Sequence, residues 1–323
     1  MSLEKPILIT GGAGFIGSHL VERLLQDGES VVVIDDCSTG SWRNLARVRT
    51  NPRLELIESK VSDFPDLRQL LGRVSAVYHL AAAVGVELVI RSPIATIRTN
   101  LDETEKILEA AAPHQVPVLV ASTSEVYGKS QKGAFAETDD LLIGPPNLGR
   151  WSYACSKLMD EFLALAFARE KKLPVIITRL FNTVGPRQTG RYGMVLPRFI
   201  AAAKRGEPLR VFGDGRQTRC FCFVLDTIEA LVRLQKTETA LGGIFNVGTD
   251  REISIRDLAE RIIRQLGSKS TVEFVPYNEA YAPGFEDMLR RRPVIDKLER
   301  VIGFRPKTSL DEIISLTAAD PED

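Results

Sequence analysis

The sequence predicts an α/β protein built on a doubly wound parallel sheet of the Rossmann type, with a smaller C-terminal lobe. Apolar runs alternate with helical patterns from the N-terminus to about residue 180. These runs are apolar on both faces, which is typical of parallel strands covered by helices on each side of the sheet. A chain of 323 residues with 44% hydrophobic content can fill such a core.

The predicted elements alternate along the chain. Helices are predicted near 14–28, 94–112 and 152–171, between the strands PILIT, SVVVID, RLELIE, SAVYHLA, VPVLVAS and LPVIITRLF. Later, short strands (LRVFG, GIFNVG, TVEFVPY) mix with helices near 194–205, 225–237 and 254–267. We predict one domain over residues 1–180 and a lobe over residues 181–323, and leave open whether residues 225–247 return to the sheet.

The charge balance excludes some classes of partner. Forty-two basic residues match forty-two acidic ones, so no overall field attracts nucleic acid or an anionic membrane. Small molecules or copies of the same chain are the expected partners. No apolar run reaches the length of a membrane span and no signal-peptide pattern precedes the first strand, so we expect a cytoplasmic protein.

The four cysteines, at positions 37, 155, 220 and 222, are too scattered to form a disulfide framework. With three histidines in the chain and no second cluster, we predict no metal site, and interpret Cys220 and Cys222 as small buried hydrophobes.

The glycine-rich stretch TGGAGFIGSHL joins the first strand to the first helix and places glycine at positions 11, 14 and 17. Glycine there lets the backbone approach a pyrophosphate, which the positive helix N-terminus attracts. This strand-turn-helix placement predicts dinucleotide binding. Asp35, at the end of the second strand, can accept both hydroxyls of the adenosine ribose and would repel a 2′-phosphate, so the sequence favours NAD over NADP.

The stretch YACSK places Tyr153 and Lys157 one helical turn apart on one face. A phenol has a pKa of about 10 and is a poor base at neutral pH without help. We expect the adjacent ammonium and a positive nicotinamide to favour the phenolate, so that Tyr153 removes a hydroxyl proton.

A run of hydroxyls and a carboxylate, Ser122-Thr123-Ser124-Glu125, ends the apolar strand VPVLV. A carboxylate near the core costs several kcal/mol, on the order of a lost hydrogen bond or more, unless it is paired. Glu125 is therefore either exposed in a loop or functional.

The motifs GGAGFIG, HLAAA, STSEVYG, YACSK and RLFNTVGPRQ, in this order, resemble the extended short-chain dehydrogenases/reductases that act on nucleotide sugars. The resemblance spans essentially the whole chain. It implies NAD in the first domain, a nucleotide sugar in the C-terminal lobe, and a homodimer formed by the helices near 94–112 and 152–171. Burial of their apolar stripes, including Leu158, Phe162 and Leu165, within one chain is the alternative.

The resemblance also implies a set of cofactor contacts. Members of the family usually have an Asp at the end of the third strand to contact adenine, where this sequence has Lys60, with Asp63 as a candidate substitute. The implied cofactor-binding residues are Gly11, Gly14, Phe15, Ile16, Gly17, Asp35, Asp36, Leu80, Ala81, Ala82, Asn100, Ser122, Tyr153 and Lys157.

The catalytic residues implied by the resemblance are Tyr153, Lys157, Glu125 and either Thr123 or Ser124 as the hydrogen-bond partner of the reacting hydroxyl. Simple 4-epimerases usually have a small or apolar residue in place of Glu125, whereas dehydratases and decarboxylases have a Glu near C5 of the sugar.

Three further stretches, RWSYACSK, RCFCFVLDTIEAL and YAPGFEDMLRRRPVIDK, resemble the UDP-glucuronate decarboxylases. By this resemblance Arg291 faces the sugar carboxylate, which its planar guanidinium can bind through two bonds. A solvated charge run at Arg290, Arg291 and Arg292 is the alternative. The other implied substrate contacts are Asn182, Arg187, Arg198 and Arg219.

The leading hypothesis is therefore NAD-dependent decarboxylation of UDP-glucuronate. Oxidation at C4 makes a β-keto acid, which loses CO2 to give UDP-xylose or the 4-keto pentose. The alternatives are a UDP-sugar 4-epimerase, a 4,6-dehydratase and a non-enzymatic NAD sensor.

Overall fold

In a computed structural model of the protein, the structure describes residues 5–83, 92–190, 194–276 and 288–320. Residues 281–287 of the YAPGFEDMLRRRPVIDK motif and Tyr277 of the predicted TVEFVPY strand lie outside these ranges. The first part of the chain contains β1 (Ile7–Thr10), α1 (Phe15–Gln26), β2 (Val31–Asp35), β3 (Leu54–Glu58), α2 (Leu67–Arg73), β4 (Ala76–His79), α3 (Pro93–Ala111), β5 (Val118–Thr123), α4 (Trp151–Lys171) and β6 (Val175–Leu180).

The second part of the chain has shorter elements. Sequence patterns missed several of them, because two- or three-residue strands carry too little periodicity to be recognised. They are β7 (Thr183–Val184), α5 (Val195–Arg205), β8 (Leu209–Phe212), β9 (Thr218–Cys220), β10 (Cys222–Phe223), α6 (Val224–Gln235), β11 (Ile244–Val247), β12 (Glu252–Ser254), α7 (Ile255–Gln265), β13 (Val272–Val275), α8 (Asp296–Ile302) and α9 (Leu310–Ala318).

Seven strands form one parallel sheet in the order β11-β6-β5-β4-β1-β2-β3. This arrangement confirms the predicted doubly wound fold. The strand order reverses at β1, so a crevice opens at the carboxyl ends of β1 and β4, where such sheets bind ligands. Because β11 pairs with β6, the segment from α6 to β11 does return to the sheet.

The two faces of the sheet have separate cores, because successive residues of a strand point to opposite sides. Leu8 of β1 packs in a cluster with Ile107 of α3, whereas Ile9 packs in a cluster with Leu24 of α1. The cluster on the α1 side continues into the C-terminal lobe through residues such as Leu258 of α7. The lobe is thereby fixed against the sheet by apolar burial.

A buried ion pair fixes α4 over the carboxyl ends of β5 and β6. Arg179 of β6 and Glu161 of α4 approach to 2.7 Å, and each side chain is 3% exposed. Ser122 of β5 donates a hydrogen bond of 2.5 Å to the same Glu161 carboxylate. These contacts set the position of the helix that carries Tyr153 and Lys157.

Glu161→Ala is expected to lower the free energy of unfolding by about 3–5 kcal/mol, because it leaves the Arg179 guanidinium buried without its carboxylate. Urea denaturation followed by circular dichroism measures the change. Glu170→Ala, at an exposed position of the same helix, is the matched control and should change stability by less than about 0.5 kcal/mol. A loss for Glu161→Ala no larger than that of the control would contradict the assigned role.

The cysteines are free, and Cys220 and Cys222 are buried, in keeping with their interpretation as small hydrophobes, whereas Cys155 is exposed. Across the ranges that the structure covers, no helix combines the length and the apolar character needed to span a bilayer.

Candidate active site

A cleft of about 1310 Å³ lies at the carboxyl ends of the sheet strands and extends under the C-terminal lobe. Its walls come from the β1–α1 turn, the ends of β2, β4 and β5, the start of α4, and residues of α5 and β8. Of the residues singled out from the sequence, these line it: Gly11, Gly14, Phe15, Ile16, Gly17, Asp35, Asp36, Leu80, Ala81, Ala82, Ser122, Thr123, Ser124, Glu125, Tyr153, Lys157, Asn182, Arg187, Arg198, Arg219 and Arg291.

The β1–α1 turn requires glycine. Gly11 has φ +72°, and a Cβ there would lie 2.7 Å from the Ala81 nitrogen. A Cβ at Gly17 would lie 2.1 Å from the Gly11 carbonyl oxygen. No side chain caps the N-terminus of α1 at Gly14. The backbone N–H groups of this helix end can thus bind an anion, and the cradle fits a dinucleotide pyrophosphate.

Asp35 is held rigidly at the end of β2. One carboxylate oxygen accepts the Ala13 N–H at 2.9 Å and the other accepts the Cys37 N–H at 2.8 Å. Burial raises the pKa of Asp35, although the two backbone hydrogen bonds oppose that effect. Each oxygen retains further acceptor capacity, which suits a ribose diol.

Asn100, which the resemblance implies as a cofactor contact, is bonded to the segment after β4, where Ala81, Ala82 and Ala83 line the cleft. Its amide oxygen accepts the Ala83 N–H at 2.8 Å, and its amide nitrogen donates to Ser156 Oγ at 3.0 Å. Asn100 is 1% exposed and joins the segment after β4 to α4. It therefore positions the Ala81–Ala83 wall of the cleft.

His79, which sequence reasoning passed over in HLAAA, lies beneath that wall. Its ring bonds Thr10 Oγ1 at 2.8 Å and Thr104 Oγ1 at 3.1 Å. Burial, with the positive charge of Lys157, lowers the pKa of His79 to about 3. The ring is thus neutral at physiological pH and its role is to join β1, β4 and α3.

Tyr153 and Lys157 lie together in the cleft, as predicted, but their partners differ from the expectation. Lys157 Nζ donates to Asp160 Oδ2 at 2.7 Å, and both side chains are at most 2% exposed. The Thr123 hydroxyl acts to lower the pKa of Tyr153, and its oxygen accepts the Glu125 N–H at 3.2 Å. The sequence analysis did not identify Asp160, although its position one helical turn after Lys157 could have indicated a contact between the two side chains.

The pKa of Tyr153 is raised above the usual phenol value in this structure, opposite to the direction expected from Lys157 together with a bound nicotinamide. Burial and the negative charge of Glu125 raise the pKa of Tyr153, and the hydrogen bond from Thr123 opposes them only in part. The Lys157 ammonium is engaged by Asp160 instead. In this arrangement the phenol is protonated at neutral pH.

Glu125 is neither loop-exposed nor alone. Arg291 Nη1 donates to one of its carboxylate oxygens, and Arg150 Nη2 donates to the other at 3.2 Å. Arg291 also donates through Nη2 to the amide oxygen of Asn182. Burial raises the pKa of Glu125, but the attraction of Arg291, Arg150 and Arg219 outweighs it and the pKa is lowered. Glu125 is therefore a carboxylate, and as it stands it cannot donate a proton.

Arg291 is also distinct from its two arginine neighbours, which excludes a uniformly solvated charge run. The Arg291 side chain is 13% exposed, whereas those of Arg290 and Arg292 are 52% and 42% exposed and pair with Glu252. Arg150 was not singled out from the sequence, although it opens the RWSYACSK motif directly before α4.

The remaining arginines line the lobe side of the cleft in different ways. Arg219 donates to the carbonyls of Thr218 and Met288, both at 2.8 Å, and Arg198 lies 5.3 Å from the centre of the Phe212 ring. Arg187 is turned toward the dinucleotide cradle, because its guanidinium bonds Ser18 and pairs with Glu22 of α1 at 2.7 Å.

The chain resembles known nucleotide-sugar enzymes along nearly its whole length. The sequence model of the family described as GDP-mannose 4,6 dehydratase matches residues 8–317. UDP-N-acetyl-alpha-D-glucosaminuronate decarboxylase of Bacillus cytotoxicus is 40% identical, over 96% of this chain and 95% of that protein. UDP-glucuronic acid decarboxylase 2 of Arabidopsis thaliana is 36% identical, over 97% of this chain and 67% of that protein.

Solved structures agree with the sequence relatives. MoeE5 in complex with UDP-glucuronic acid and NAD aligns with a TM-score of 0.81 at 32% identity, over 97% of each chain. The sheet, the glycine turn, the Tyr153/Lys157 pair and these matches lead to one assignment. The chain belongs to the extended short-chain dehydrogenase/reductase family of nucleotide-sugar enzymes that the GDP-mannose 4,6 dehydratase model describes.

Proposed function

We propose that this protein is an NAD-dependent decarboxylase of UDP-glucuronate that forms UDP-xylose through a 4-keto intermediate. The observation that carries the proposal is the contact of Glu125 with Arg291 and Arg150 beside Tyr153, inside one cleft. Two guanidinium groups at the sugar end of the cleft suit a substrate that brings a carboxylate. A neutral hexose would offer them no such partner.

The chain's own groups account for the first step. Tyr153 accepts the proton of the C4 hydroxyl, while Thr123, which lines the cleft with Tyr153, orients that hydroxyl. The Lys157–Asp160 pair fixes the adjacent turn of α4. NAD⁺, when bound, supplies the hydride acceptor for C4 and a positive charge that favours the Tyr153 phenolate.

The second step follows from the new ketone at C4. The C5 carboxylate is then β to a carbonyl, so the electrons of the breaking C–C bond pass to the ketone oxygen and CO2 leaves. Arg291 orients the carboxylate, and Glu125, displaced from Arg291 by it and protonated from solvent, delivers that proton to C5 directly or through water. Tyr153 returns its proton to O4, and the bound cofactor would supply the hydride to C4, which gives UDP-xylose.

NAD rather than NADP is the proposed cofactor. Asp35 is fixed by two backbone N–H groups and lines the cleft, and Asp36 follows it. A 2′-phosphate in front of these carboxylates would meet like charge.

The cytoplasm is the proposed compartment, because the cysteines of the chain are free, as in a reducing environment.

The deciding experiment incubates the purified protein with UDP-glucuronate and scores CO2 release and product mass. UDP-N-acetylglucosaminuronate is included, because the Bacillus cytotoxicus relative is named for that substrate, and UDP-glucose serves as the neutral control. The proposal expects a product lighter by one CO2 from UDP-glucuronate. A product that keeps its carboxylate would instead identify a 4-epimerase, and one that has lost water a dehydratase.

We also propose a homodimer through α3 and α4, which pack against each other in one chain. Ile94 and Ile97 of α3 are 70% and 37% exposed, and Met159 and Phe162 of α4 are 53% and 61% exposed. Their spacing puts each pair on one helix face. Leu158 and Leu165, in contrast, are partly buried against clusters of the same chain. The exposed stripe is of the kind that a second copy covers.

Phe162→Glu is expected to convert the dimer into a folded monomer, because a charge in the centre of the apolar helix face opposes its burial. Light scattering coupled to size exclusion measures the mass, and circular dichroism checks the fold. Leu316→Glu, at an exposed position on α9, is the matched control and should leave the dimer intact. A dimer that persists in Phe162→Glu would exclude this interface.

A further inference from the structure

Glu103 is a buried carboxylate that neither the proposed reaction nor the core requires. It lies in the middle of α3, is 4% exposed and lines the cleft. A buried carboxylate without hydrogen bonds costs several kcal/mol, on the order of 2–7 for a neutral polar group and more for a charge. The cost of burying this carboxylate in place of an apolar side chain must therefore be offset by the groups that it binds.

Three hydrogen bonds tie Glu103 to the loop after β3. One carboxylate oxygen accepts the Val61 N–H at 2.8 Å. The other accepts the Ser62 N–H at 3.2 Å and the Ser62 hydroxyl at 2.8 Å. An ionised carboxylate has about four acceptor sites, so one acceptor site of Glu103 is not used by these bonds.

The position of Glu103 corresponds to the base end of a dinucleotide. In the sheet order β1-β2-β3, the pyrophosphate cradle follows β1 and the ribose-binding Asp35 ends β2. The cleft continues past them to Lys60 and Val61 after β3, and Glu103 lines this same end. Asp36 lines the same cleft as Glu103, and burial, followed by the charge of Asp36, raises the pKa of Glu103.

The other groups at this end cannot take the same role. The Lys60 side chain only donates hydrogen bonds, so it cannot accept one from an amino group. Asp63 is exposed and is not among the residues that line the cleft, so the substitute considered from the sequence does not reach it.

We propose that Glu103 recognises the adenine of the bound dinucleotide, its fourth acceptor site taking a hydrogen bond from the 6-amino group. Its other three bonds hold the Lys60–Ser62 loop along the ring. This inference rests on the proposed binding of NAD. The adenine contact, which the sequence analysis expected from a residue after β3, is thereby assigned to a residue of α3.

Calorimetric titration of the full chain with NAD⁺ and with nicotinamide hypoxanthine dinucleotide tests the inference. The second compound differs in the base, where an oxo group replaces the 6-amino group. The wild-type protein is expected to bind NAD⁺ about 10- to 100-fold more tightly, the range of a hydrogen bond to a charged group. Glu103→Gln, which keeps the shape of the side chain, should reduce this ratio at least several-fold, and Glu103→Ala should bring it close to one.

Glu105→Gln, an exposed position on the same helix, and Asp63→Asn are the matched controls and should keep the wild-type ratio. A purely structural Glu103 would weaken both dinucleotides equally in its variants, and an unchanged ratio would overturn the inference. Equal binding of the two compounds by the wild type would overturn it without any variant, while leaving NAD binding intact. Failure of the wild type to bind either compound would overturn the proposed cofactor as well.

Discussion

Tyr153→Phe is expected to lower the turnover of UDP-glucuronate by about 10²- to 10⁴-fold, because it removes the group that accepts the C4 hydroxyl proton. The Thr123 hydroxyl stays in place and the glycine cradle is untouched, so dinucleotide and UDP affinities should stay within a few-fold of wild type. Steady-state kinetics should therefore show the loss in kcat and little change in KM.

A second phenol gives the matched control. Tyr127 donates to Asn246 Oδ1 at 2.7 Å and is not among the cleft-lining residues. Tyr127→Phe should reduce stability by about 1 kcal/mol or somewhat more and leave turnover near wild type. If Tyr153→Phe kept turnover within about threefold of Tyr127→Phe, the assignment of Tyr153 as the base would be wrong.

The local patterns of this sequence were sufficient to predict the sheet, the glycine turn and the pairing of Tyr153 with Lys157. Strand and helix periods, and glycines that only a tight turn explains, depend on neighbours in the chain. The pairing of Tyr153 with Lys157 is equally local, since four residues span one helical turn. Such features can be read without knowing what packs against them.

The pKa shifts and charge contacts of the site could not be predicted from the sequence. Burial raises the pKa of Tyr153 most and the charge of Glu125 adds to the rise, and both arise because β5 and α4 meet at the cleft. Arg291 reaches Glu125 across 166 residues of chain. Glu103 likewise reaches the loop after β3 from α3. Contacts over such separations leave no periodic trace in the sequence.

The Glu125–Arg291 contact yields the prediction that separates decarboxylation from oxidation. In this structure Glu125 occupies the two guanidinium groups that the uronate carboxylate would need. A substrate carboxylate that displaces it would remove the attraction that lowers the Glu125 pKa, while burial would still raise that pKa. Glu125 would then take up a proton when the substrate binds, which is the form needed to protonate C5.

Arg291→Ala is accordingly expected to reduce kcat/KM for UDP-glucuronate by at least about 10- to 100-fold, the range for a lost charge-assisted hydrogen bond. The affinity for UDP itself should barely change, because the proposed contact of Arg291 is with the sugar carboxylate and not with the nucleotide. Arg290→Ala is the matched control, since its side chain pairs with Glu252 at the surface. Equal losses in the two variants would remove Arg291 from the proposed substrate contact.

Glu125→Gln should separate the two chemical steps. The oxidation of C4 should persist. The pH at which its rate rises, which reflects the ionisation of Tyr153, should be lower than in the wild type, because the variant lacks the negative charge that raises the Tyr153 pKa. The release of CO2 and the protonation of C5 should become slow, since the amide cannot take up and deliver a proton. Mixing the variant with UDP-glucuronate should then show an absorbance rise from reduced cofactor that outlasts the wild-type signal, with CO2 release lagging behind it. Wild-type CO2 release by Glu125→Gln would exclude Glu125 from the second step, and loss of the absorbance rise would assign it to the first.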